Sequence, residues 1–114
     1  MPIKQVSSKL LRQIVNNILS DQGLSKKTLR QTIYDKLKNI VRKNEAVPLK
    51  DKTLENYINK LALHPYKITD IDVQQLQMAG YSQAQIFELT AVAAVSAGKT
   101  RLDIVLELLK RQQS

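Results

Sequence analysis

Ile68-Thr69-Asp70-Ile71-Asp72-Val73, then Ala79-Gly80-Tyr81-Ser82, then a long apolar run reaching Gly98: this stretch sets the helix boundaries of the chain. Thr69 and Asp72, three residues apart, form a capping-box pair, in which a hydroxyl and a carboxylate take up backbone N–H groups that the first turn leaves unpaired. Ile68 and Val73 flank that turn at the spacing of a hydrophobic staple. Gly80 then suits a left-handed helix end, which costs nothing without a Cβ. Ser82 and Gln85 repeat the box, with Tyr81 and Ile86 as the second staple. Thr100 and Asp103 form a weaker third copy after Gly98. The expected helices are therefore 70–79, 83–97 and 101–112.

Working back toward the start, Ile3, Val6, Leu10, Ile14 and Ile18, with Leu11, Val15 and Leu19 beside them, recur at steps of three and four and predict an amphipathic helix over 3–20. Gly23 suits its C-terminal cap and Ser25 the next N-cap. A second helix over 26–43 would turn Leu29, Ile33, Leu37, Ile40 and Val41 inward. Asp51 caps a shorter third, with Leu54, Tyr57, Ile58 and Leu61 inward, ended at His64-Pro65 because the residue before proline is pushed out of the helical region. Six helices with little strand alternation predict a single all-α domain over residues 1–114, a helical bundle with a basic hairpin at 1–47 and a second helical region at 48–114. A chain of 114 residues is long enough to bury about two-thirds of its unfolded surface.

The segment 73–109 reads Asp-Val-x-x-Leu-x-x-Ala-Gly-Tyr-Ser-x-x-x-Ile-Phe-Glu-Leu-Thr-x-x-Ala-Ala when Asp72 is included, followed by Gly98 and Arg101-Leu102. It resembles the alkylhydroperoxidase-like and carboxymuconolactone decarboxylase superfamily, mainly over 68–109. The resemblance implies an obligate oligomer in which an Ala-Gly-Tyr-Ser turn joins two helices and an Ala-rich helix packs between subunits. The departure decides the chemistry. Peroxidase members use a Cys-x-x-Cys pair with a nearby His, and this chain has no cysteine. No residue inherits a catalytic role from the resemblance.

The absence of cysteine also excludes disulfides, thiolate zinc sites and thiol catalysis, and fits a reducing, cytoplasmic setting. No signal-peptide pattern opens the chain. The charge-free run 73–87 carries five Gln, too polar to span a membrane, so no membrane partner is expected. Charge is uneven. Residues 1–67 hold fourteen Lys/Arg against five Asp/Glu, and residues 68–114 four against five, so the +8 net charge sits in the first half. A basic helical pair suits a polyanion. Nucleic acid or an acidic partner on residues 4–43 is therefore one reading, with Lys26, Lys27, Arg30, Lys38, Arg42 and Lys43 as its contacts. A solvated lysine-rich face is the other.

Candidate chemistry is thin. Ala97-Gly98-Lys99-Thr100 mimics the end of a phosphate-binding loop, but the position five before Gly98 is Ala93, not the required glycine. His64 is the sole histidine, a poor metal site without cysteines or clustered carboxylates, so neither metal nor cofactor is expected. Glu88 is the one charge between Asp72 and Lys99. Partly buried, it would either carry a raised pKa suited to acid/base work with His64, or pair with Arg101 across the Gly98 turn. Pairing is the preferred reading. The Gln83–Ala97 run is apolar or small around most of its circumference, and 102–109 is apolar over more than half of one. Six short helices cannot cover both, so a homo-oligomer through residues 87–109 is expected. The preferred function is a non-redox, oligomeric binding or scaffold protein. A basic nucleic-acid-binding protein and a thiol-independent, decarboxylase-like enzyme around Glu88 and His64 are the alternatives.

Overall fold

The structure, a computed structural model, describes residues 3–45 and 48–113. Of the stripe expected on the first helix, the side chains of Ile3, Val6, Leu10 and Leu11 lie outside the described set. Five α-helices and one 3-10 turn follow in order: α1 (Ile3–Ile18), α2 (Lys27–Lys43), α3 (Lys52–Leu63), the turn Pro65–Lys67, α4 (Asp70–Met78) and α5 (Gln83–Gln113). There is no strand among the described residues.

α5 is the spine. At 31 residues it runs about 46 Å at 1.5 Å per residue, nearly the full 51 Å length of the molecule. α1, α2, α3 and α4 all pack on it. The expected break at Gly98 does not occur, so two of the six expected helices are one. The physical reason is packing. Leu89, Val92, Ala93, Ser96, Ala97 and Thr100 are buried in one continuous stripe that passes under Gly98 on the opposite side of the helix. A mid-helix glycine costs only about 1 kcal/mol relative to alanine, which that burial outweighs. Thr100, expected as a cap, is buried, and Asp103 pairs instead with Lys99 at 2.8 Å.

The boundary signals at Asp51, Thr69, Gly80 and Ser82 act as expected. The Asp72 carboxylate accepts from the Thr69 N–H at 2.9 Å, and Lys60 adds a second hold at 2.9 Å. Gly80 has φ +107°, and the pair of bonds Tyr81 N–H to the Leu76 carbonyl and Gly80 N–H to the Gln77 carbonyl closes α4 as a Schellman motif. Ser82 and Gln85 exchange both bonds of their box, at 3.0 and 3.1 Å. The Asp51 carboxylate caps α3 through the Thr53 and Leu54 N–H groups.

α2 runs alongside α5 in the same direction. Ser25 meets Glu88, the Tyr34 carbonyl accepts from the Ser96 hydroxyl, and Arg42 reaches Glu107 at 2.9 Å. Ile33, Leu37 and Ile40 fill the seam, and Leu54, Tyr57 and Ile58 of α3 close its other side. The connection after α2 returns the chain toward its start, where Lys36 holds the Pro48 carbonyl. α1 packs on α5, and its last carbonyl, that of Ile18, is held by Arg30 of α2.

Candidate functional site

The one carboxylate in the middle of the apolar run is fully engaged. Glu88 Oε2 accepts from the Leu24 N–H and Oε1 from the Ser25 N–H, both at 2.8 Å, and the Ser25 hydroxyl donates to Oε1 as well. Arg30 Nε stands 3.5 Å from Oε1. Burial pushes the Glu88 carboxyl up, but the Ser25 hydroxyl, the two backbone N–H groups and the Arg30 charge outweigh it and hold the pKa below its ordinary value. Glu88 is thus a latch that ties α5 to the turn before α2, ionised at neutral pH. The partner is not Arg101, whose guanidinium donates to the Ala62 carbonyl at the end of α3, at 3.0 Å.

Arg30 is the other half of the latch and is only 1% exposed. Its Nη1 donates to the Ile18 carbonyl at 2.6 Å and its Nε to the Ser25 carbonyl at 3.3 Å, which gathers the end of α1 and the turn onto one side chain. Nη2 is buried with no hydrogen-bond partner among the described residues. Gly23 is explained here. A Cβ on it would lie 2.4 Å from Arg30 Cζ, so the residue is glycine to admit a guanidinium, not to cap α1. Ser25, expected as the N-cap of α2, spends its hydroxyl on Glu88, and Lys26 holds the cap position without a side-chain bond.

His64 does not join this cluster. It ends α3, exposed, with Nδ1 3.3 Å from the Tyr66 hydroxyl. A cleft of about 450 Å³ opens beside Glu88, walled by Ile18, Leu24, Ala84, Phe87 and Ala91, with Gly23 and Arg30 also lining it, and His64 is not among its residues. The expected acid/base pair of Glu88 and His64 is therefore not brought together. No group of His, Cys, Asp or Glu among the described residues is arranged to hold a metal ion.

Several of the cations named for nucleic-acid contact are engaged within the chain. Arg30 is internal. Lys27 pairs with Asp21 at 2.9 Å, Arg42 pairs with Glu107, and Lys38 sits over the Tyr34 ring, 5.1 Å from its centroid. A second cleft of about 470 Å³ collects Lys26, Lys36 and Lys50 around Leu29, Leu49 and Leu54, with the Asp51–Tyr81 pair at its edge. The Tyr81 hydroxyl donates to Asp51 at 2.6 Å, and burial with that carboxylate pushes its pKa up to about 12.

The most unusual surface lies on α5. Successive helical residues turn by 100°, so Phe87, Ala91, Ala94, Gly98, Leu102, Val105 and Leu109 share the side opposite the buried stripe. Phe87 is 77% exposed and Leu109 53%, and Ala94, Gly98, Leu102 and Val105 are also exposed. Two charges border that strip between Phe87 and Leu109, Arg101 and Glu88, and both are tied back into the chain, to α3 and to the turn before α2. Val95, expected in the same contact, instead packs against the core. No helix among the described residues is long and apolar enough to cross a membrane. No family model, curated protein or solved structure matches the chain.

Proposed function

We propose that the protein is a non-catalytic, homo-oligomeric helical scaffold whose working surface is the outward face of α5. The observation that carries this reading is the strip from Phe87 to Leu109, apolar and nearly uncharged on the solvent side of a 31-residue helix. Contiguous exposed apolar patches of this kind mark association surfaces on water-soluble proteins. The acid in the chain's apolar run speaks against acid/base catalysis, since both Glu88 oxygens are occupied and its pKa is lowered. The 68–109 stretch is carried as a cysteine-less relative of the alkylhydroperoxidase-like superfamily on the strength of its Ala79-Gly80-Tyr81-Ser82 turn, and a cytoplasmic setting on the absence of cysteine. Val105→Asp tests the scaffold reading. The variant should sediment as a smaller species with unchanged helical circular dichroism. Unchanged sedimentation would place the contact elsewhere.

A second, separable reading is contact with an acidic partner at the cleft that collects Lys26, Lys36 and Lys50. Salt-sensitive retention on a polyanion resin should fall when all three are changed to alanine. Retention that is unaffected by these changes removes it.

A further inference from the structure

We infer that two copies of this chain pair through α5 in antiparallel fashion, about a two-fold axis at Gly98. This rests on the oligomer reading above and specifies its partner surface and register. The outward strip is symmetric in sequence spacing about Gly98: Ala94 and Leu102 lie four residues away on either side, Ala91 and Val105 seven, and Phe87 and Leu109 eleven. An antiparallel copy centred there sets Ala94 against Leu102, Ala91 against Val105 and Phe87 against Leu109. Each alanine meets a larger side chain, and Gly98 meets its own copy. A parallel copy in register would stack the alanines on each other at one end and the large side chains at the other, leaving a gap and a collision.

Two independent features of the surface agree with that register. The apolar cleft walled by Leu24, Phe87 and Ala91 opens at the N-terminal end of the strip, and the exposed Leu109 projects at its C-terminal end. A two-fold pair brings Leu109 of each copy to the hollow of the other, so the contact is isologous and closes at two subunits. Gly98 is the second feature. A Cβ built on it meets nothing within 4 Å in its own chain, so nothing inside the subunit requires glycine there, although alanine would favour the helix by about 1 kcal/mol. Close approach of a second helix, near the 8 Å end of the usual range of interaxial distances, supplies the reason.

The chain has no cysteine, so single-cysteine variants of the full protein report the register directly. A disulfide needs Cα atoms roughly 4.4–6.8 Å apart. Under mild oxidation, Gly98→Cys should cross-link to itself. Ala91→Cys and Val105→Cys should each stay uncross-linked alone and yield a covalent dimer when mixed. Self-linking of Val105→Cys without a mixed product, in protein that still has the mass of a dimer, overturns the antiparallel register and leaves the oligomer reading standing. A dimer in which no variant cross-links also overturns the register. A monomeric mass for the unmodified protein overturns both.

Discussion

Replacing Glu88 with alanine should unlatch α5 from the turn that precedes α2. Three donors lose their acceptor: the Leu24 N–H, the Ser25 N–H and the Ser25 hydroxyl. Leu24 is exposed and water can replace its bond, but Ser25 is buried, and the Arg30 guanidinium is left in the interior without a counter-charge. A buried donor left unpaired costs about 1–3 kcal/mol, and breaking a buried ion pair from one side about 3–5 kcal/mol. The Glu88 side chain is 22% exposed, so water enters the gap and the lower end applies, about 3 kcal/mol. Glu88→Gln keeps one acceptor oxygen and the shape of the side chain, and should lose about 1–2 kcal/mol. Urea unfolding followed by circular dichroism at one fixed protein concentration reads both variants. With a slope of about 1.5 kcal/mol per molar urea, the alanine midpoint falls by about 2 M. The pH dependence has a definite sign. The folded carboxyl titrates below its ordinary value of 4.5, so the stability it contributes is fully present above pH 4.5 and is lost as pH falls through the lowered value. Glu88→Gln should flatten that acid limb. A Glu88→Ala midpoint within 0.3 M of the unmodified protein would refute the latch.

Gly23→Ala should cost about 1–3 kcal/mol in the same assay, because the new methyl must displace a guanidinium held by two hydrogen bonds, and Arg30→Met should largely remove that penalty in the double variant. Gly80→Val places a β-branched residue at φ +107° and should cost about 1–3 kcal/mol by backbone strain alone, since a Cβ there meets nothing, while exposed Gln77→Ala stays within about 0.5 kcal/mol. Tyr81 should ionise near 12 by ultraviolet titration, later than an ordinary tyrosine at 10, and Asp51→Asn should bring it down. Because the folded value is raised, the stability Tyr81 contributes is complete below pH 10 and is lost as pH rises through 12.

Local signals in the sequence were legible where a few adjacent residues settle the matter. The caps at Asp51, Thr69 and Ser82 and the left-handed Gly80 depend on neighbours within five residues, and the structure places all of them as read. Gly98 and Gly23 share the same residue type, yet their roles come from distant packing. Gly98 stays helical because buried Ser96, Ala97 and Thr100 continue one seam with α2, and Gly23 makes room for a side chain seven residues on. The need for a partner to Glu88 was legible from its isolation among apolar residues. Its identity was not, because Arg101 is close in sequence while Ser25 and Arg30 are close only in the fold. Arg30 had the look of a surface cation, although its spacing, three residues before Ile33 and seven before Leu37, puts it on the buried face of α2.

Self-association through the outward face of α5 is the central claim, and the mass of the unmodified protein in dilute solution tests it most directly. Light scattering coupled to size exclusion at micromolar concentration should give about twice the 12.9 kDa of one chain. A mass of 12.9 kDa under those conditions would contradict it.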